Sequence, residues 1–97
     1  MSDLNAWVDK LDSMTTKEIR ELMQAEKVTG LRGAAQRCPL ANFLRGKVGY
    51  MVSVDGTSIG TLDEDISTGQ SIQVFVDHFD YGYYPELDGM VWVEKND

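Results

Sequence analysis

The hydrophobic residues of this chain change period twice, and that change is the tightest constraint on its fold. Leu4, Trp7, Val8, Leu11 and Met14 recur at helical spacing and make one apolar stripe. From Val48 the period drops to two: Val48, Tyr50, Val52 and Val54 alternate with other residues up to Asp55-Gly56. Helical spacing returns at Ile72, Phe75, Val76 and Phe79. Helices on both sides of a strand pair specify an α+β architecture. A lone hairpin is unstable in water, so this one is expected to pack across the helices as part of one core.

Local signals divide the helical stretches. Thr15 stands three residues before Glu18, the capping-box spacing, and predicts a second helix with Ile19, Leu22, Met23 and Ala25 on its apolar face. Its stripe extends toward Val28, and Gly30 is the expected stop. In LRGAAQRCPLANFLRG, Pro39 suits a first helical turn, Cys38 its cap and Gly46 its end, with Leu40, Phe43 and Leu44 buried. Asp55-Gly56 favours a two-residue turn pairing Val54 with Thr57, Val52 with Ile59 and Tyr50 with Thr61. Ser67 and Gln70 repeat the capping-box spacing ahead of the fourth helix, and Gly82 is placed to end it. Tyr83-Tyr84-Pro85 is then expected to be extended, because proline disfavours a helical conformation at the residue before it. Met90 to Val93 reads either as a short strand or as loose chain, with 94–97 as a flexible tail. The whole of 1–97 reads as a single α+β domain, with no repeat or linker to divide it.

Charge is distributed unevenly. Residues 1–46 carry seven Lys/Arg against six Asp/Glu, whereas residues 47–97 carry two against ten. Lys27, Arg32, Arg37, Arg45 and Lys47 fall in a stretch without any acid. A net charge of −7 argues against non-specific nucleic-acid binding, whose affinity comes from neutralising phosphates. The acidic half is suited to a partner protein with a basic surface. No apolar run approaches the roughly 20 residues of a membrane helix, and the acid-bearing N-terminus does not resemble a signal peptide. A single cysteine excludes an internal disulfide and fits a cytoplasmic setting.

Catalytic signatures are absent from the sequence. Cys38, at a helix start beside Arg37, is the most reactive candidate, since both features favour a thiolate. The only histidine, His78, is far from it in sequence, and a capping or buried cysteine explains Cys38 equally well. His78 near a helix C-terminus is accounted for by the helix dipole. Asp63, Glu64 and Asp65 lack the spacing and glycine of a calcium loop. Neither a GxGxxG nor a GxxxxGK[ST] phosphate loop occurs. The chain is therefore expected to be non-enzymatic, with no metal and no cofactor.

The segment FVDHFDYGYYPEL concentrates features that folding alone does not require. Asp77 and Asp80 stand in the last turn of a helix, where negative charge is mildly unfavourable. Tyr81, Tyr83 and Tyr84, with Trp92 beyond, supply large rings with polar tips, a residue type enriched at interface hot spots. With Glu86 they make a candidate partner-binding face of Asp77, Asp80, Tyr81, Tyr83, Tyr84, Glu86 and Trp92. Burial in a small core is the competing role for each ring.

Two ordered motifs add a resemblance. Cys38, Pro39, Ala41, Phe43 and Leu44 fit a CPxAx(Y/F)L helix start. Phe75, Val76, Phe79, Asp80, Gly82, Tyr84, Pro85 and Leu87 fit an FVxxFDxGx(Y/F)PxL segment. In these motifs, over about residues 37–87, the chain resembles a group of small actinobacterial and actinobacteriophage proteins with no assigned activity. The resemblance implies a phage-type accessory protein acting in a bacterial host cytoplasm. It also implies that Phe43, Leu44, Phe75, Val76, Phe79 and Leu87 share a core. The expected function is binding and modulation of a host protein through the acidic and aromatic C-terminal face. Two alternatives remain: an acidic nucleic-acid mimic, requiring the ten acids of 55–97 on one surface, and a small DNA-binding protein using 27–47. The latter takes the form of a degenerate helix-turn-helix made from the second and third helices.

Overall fold

The computed structural model describes residues 3–55 and 57–89. In order, these form α1 (Asp3–Asp12), α2 (Thr16–Ala25), α3 (Pro39–Val48), β1 (Ser53–Val54), β2 (Ser58–Gly60), β3 (Asp65–Ser67), α4 (Gln70–Asp80) and a 3-10 turn (Pro85–Leu87). Helices α1 and α2 each contact both α3 and α4, so the four helices enclose one interior, and β1 lies against α3. The α+β class expected from the change of period is the class observed. Trp92 and the candidate strand Met90 to Val93 lie outside the described residues.

Local chemistry accounts for most helix ends. Thr15 accepts the Glu18 amide while Glu18 accepts the Thr15 amide, a complete capping box. Helix α2 closes earlier than expected: Lys27 takes the left-handed conformation (φ 57°) that had been expected near Gly30. Gly30 serves a different purpose. A Cβ there would stand 2.4 Å from both the Arg37 carbonyl oxygen and the Pro39 nitrogen, so the backbones touch where only glycine fits. In α3 the Cys38 sulfur accepts the Ala41 amide at 3.4 Å, as expected of a cap. The helix then runs through Gly46 to Val48 and stops at Gly49 (φ 83°).

The hairpin is present, but its register differs from expectation by two residues. Val54 pairs with Ile59 and Ser53 with Gly60, which leaves four residues, 55–58, between the last paired positions of β1 and β2. Asp55 explains the longer loop: its carboxylate accepts the Thr57 and Ser58 amides, both at 2.9 Å, and folds the loop around itself. A shift of two residues preserves the faces, so Val52, Val54 and Ile59 remain buried. Tyr50 does not join that face; it lies beyond the strand and is exposed.

A third strand replaces the expected Ser67 cap. Residues Asp65 to Ser67 pair antiparallel with β2, giving the sheet order β1-β2-β3. The N-cap of α4 is Gly69, whose amide donates to Asp12 Oδ1 at 2.7 Å. A carboxylate at the C-terminal end of α1 thus accepts the N-cap amide, the bond expected from Gln70, while no side chain caps the first turn of α4 as Ser67 was expected to. Gly82 (φ 85°) follows the last turn of α4, as expected, but the extended run expected after it is not formed: Tyr84 (φ −120°, ψ 68°) lies outside the extended region, and Pro85 opens a 3-10 turn.

The core joins all these elements. Leu4, Val8, Leu11, Ile19, Met23, Leu40, Ile59 and Ile72 are buried in one cluster. Phe43, Leu44, Phe75, Val76, Phe79 and Leu87 belong to the same cluster, as the motif resemblance implied. No described helix is long and apolar enough to cross a membrane.

Candidate functional site

The C-terminal segment is built from the interior outward through a run of rings. Phe75, on the buried face of α4, lies 5.2 Å from the Tyr84 ring. Tyr84 is only 5% exposed, so it belongs to the core and not to the expected binding face. Burial pushes its phenol above the usual value, while its hydroxyl keeps a hydrogen bond with His78 Nδ1 at 3.2 Å. Buried tyrosines need such a partner, and His78 meets that need. Tyr83 lies 5.3 Å from the His78 ring and 6.0 Å from Tyr81. These last two rings are 59% and 72% exposed.

The acids separate in the same way. Glu86 is engaged by Arg20, with Nε 2.7 Å from Oε2, and by Gln24 at 2.9 Å. Asp88 is buried and paired with Arg32 at 2.9 Å. Asp80 is exposed, yet its Oδ1 accepts the Gly33 amide at 3.0 Å. That bond explains an acid at a helix C-terminus, because it fastens a neighbouring loop. Asp77 is exposed one turn earlier. Of the seven expected site residues, Tyr81, Tyr83, Asp77 and Asp80 remain on the surface. Tyr84 is withdrawn into the core, Glu86 is held in an ion pair, and Trp92 lies outside the described residues.

Two acids of the C-terminal half, Glu86 and Asp88, close on arginines of the N-terminal half. The connection between α2 and α3 lies alongside the C-terminal segment: the Gly30 amide donates to Leu87 O at 2.9 Å, and the Gly89 amide donates to Gly30 O at 2.7 Å. Arg32–Asp88 and Gly33–Asp80 continue the seam. Lys47 pairs with Glu26 at 3.0 Å and stands over the Phe43 and Trp7 rings. Residues 26–38 separate α2 from α3, far more than the short turn of a helix-turn-helix. Asn42, near the start of α3, is occupied in donating to Thr29 O at 2.8 Å.

Cys38 is not the activated thiol that its position suggested. It is buried, and desolvation pushes its thiol up to about 11, with Asp80 adding to the effect and the Ala41 amide opposing it. His78 bonds to Tyr84. Cys38 and Asp80 line a small cavity of about 150 Å³ with Val54, Asp55 and Val76. Among the described residues no group of three or more His, Cys, Asp or Glu is placed to hold a metal ion.

Sequence reasoning missed the Arg20 and Arg32 clamps. Their partners lie more than fifty residues away, and no local pattern marks either pair. No family model matches the chain, and neither curated proteins nor solved structures show a significant match to it.

Proposed function

We propose that this protein is a non-enzymatic binding module that docks on another protein through Tyr81 and Tyr83, flanked by Asp77 and Asp80. The observation that carries this reading is the contrast within one short segment. Tyr84 is buried, whereas Tyr81 and Tyr83 project on either side of Gly82. The segment beneath them is held by the Tyr84–His78 bond, the Arg20–Glu86 pair and the Gly30 bridge. Rings on a pre-ordered support lose little further entropy when a partner covers them. Asp77 and Asp80 favour a partner with a basic surface and speed its approach. The motif resemblance supplies the setting, a phage-type accessory protein that modulates a host protein in the bacterial cytoplasm.

The test is crosslinking capture from an actinobacterial lysate with the wild type, Tyr81→Ala/Tyr83→Ala, and the exposed control Lys17→Ala. A partner captured by the wild type and by the control, but lost with the double variant, supports the reading. Equal capture by all three overturns it. Once a partner is in hand, raising salt should slow association more than it speeds dissociation.

A further inference from the structure

The acid-free stretch from Lys27 to Lys47 divides once the chain is folded. Arg32 is paired with Asp88 and Lys47 with Glu26. Arg37 and Arg45 are exposed and form no ion pair among the described residues. Both line one depression of about 230 Å³, together with Thr29 and Asn42, and none of the described residues lining it is an acid. Asn42 organises this place. Its amide nitrogen donates to Thr29 O at 2.8 Å and to Arg37 O at 3.3 Å, while its Oδ1 accepts Arg45 Nη2 at 2.7 Å. One side chain thus ties the loop before α3 to the Arg45 guanidinium, which keeps its other N–H groups for a ligand. The loop itself is closed by the Leu31 amide, which donates to Arg37 O at 2.8 Å. The depression shares no lining residue with the Tyr81–Tyr83 face.

We propose that this depression binds the phosphate monoester group of a small molecule. Arg45, oriented by Asn42, and Arg37 each offer a guanidinium fork to the phosphoryl oxygens, and the Thr29 hydroxyl adds a donor. Two cations at one small depression call for two negative charges close together, and a phosphate monoester carries about −1.5 to −2 on a single group at pH 7. The volume lies below the roughly 300–1,000 Å³ of pockets for drug-sized ligands, so the phosphoryl group brings only a few further atoms with it. The net charge of −7 does not prevent this, because physiological salt screens charges beyond about 8 Å and leaves the local arginines to decide. The closed loop and the Asn42 bonds exist before the ligand arrives, so little order has to be imposed on binding.

The probe is glycerol phosphate, titrated into the full chain at physiological salt while amide and arginine Nε signals are followed by NMR. Saturable shifts should centre on Leu31, Asn42, Arg37 and Arg45. Arg37→Gln and Arg45→Gln should each weaken binding about tenfold, as expected for one charge-assisted contact. Arg37→Lys keeps the charge without the fork and should recover only part of the loss. Lys17→Gln removes the same charge from another exposed position and should leave the affinity unchanged. Both arginines are exposed, so their variants should melt with the wild type. The proposal is overturned by the absence of saturable shifts, by an equal loss in Lys17→Gln, or by succinate binding as tightly as glycerol phosphate. Much tighter binding of a phosphoserine peptide would also overturn it, since the site would then read a protein. So would binding that emerges only in Glu94→Gln, because the arginines would then serve a carboxylate of the chain itself.

Discussion

The Arg20 guanidinium forks onto the Glu86 carboxylate, Nε to Oε2 at 2.7 Å and Nη2 to Oε1 at 2.8 Å, while its carbon stands 4.5 Å above the Tyr84 ring. One side chain of α2 thereby holds both the last ring of the core and the 3-10 turn beyond it. The fork requires a planar guanidinium, so lysine would not replace it.

Arg20→Lys should therefore loosen the 83–87 segment while leaving the remainder folded. Both side chains are about one-third exposed, and solvent screening limits the cost to about 1 kcal/mol. Hydrogen exchange should show faster exchange at Gly30 and Gly89, whose amides close the seam, with little change in α1.

Acid should weaken the same contacts. The Arg20 fork, against some opposition from burial, holds the Glu86 carboxyl down to about 2, and the Thr57 and Ser58 amides hold that of Asp55 below its ordinary value. A depressed folded value means that the stabilisation is present above the ordinary carboxylate range and lost as pH falls through the folded value. Thermal midpoints measured from about pH 5 to pH 2 should fall, and Glu86→Gln should flatten part of that fall.

At the alkaline end Cys38 should dominate. Its folded value near 11 exceeds that of a free thiol, so stability is complete below about pH 8.5 and is lost as pH rises toward 11. Cys38→Ser should keep the helix cap and remove this alkaline loss. A thiol reagent at pH 8 should label the native protein far more slowly than the urea-unfolded chain.

Two glycines separate steric demand from backbone demand. Gly30→Ala forces a Cβ into the backbone of residues 37–39 and should cost about 3 kcal/mol or prevent folding. Gly33→Ala meets no atom within 4 Å and carries only the strain of φ 72°, so about 1 kcal/mol is expected. Urea melts of the two variants provide the comparison.

The three neighbouring tyrosines should also behave differently. Tyr84→Phe removes the hydroxyl bonded to His78 inside the fold and should cost about 1 kcal/mol. Tyr81→Ala and Tyr83→Ala should each change stability by less than about 0.5 kcal/mol, because their rings lie largely in solvent. Chemical denaturation distinguishes a structural ring from two that are available for contact.

Helical spacing, the Thr15–Glu18 box, the Cys38-Pro39 start and the presence of a turn at Asp55, though not its length or register, were readable from sequence, because each depends on residues within a few positions of one another. Such signals determined the α+β class and most of the buried face of every helix. Local patterns failed where a remote group supplied the interaction. Asp12 accepts the N-cap amide of α4 that Gln70 was expected to accept, and Gly30 is required by the backbone at Arg37 and Pro39 rather than by a helix end. Only the tertiary structure decided which tyrosines face solvent and which charges are already paired. Periodicity records how a side chain is oriented on its own element, whereas exposure and charge pairing depend on what distant segments place beside it.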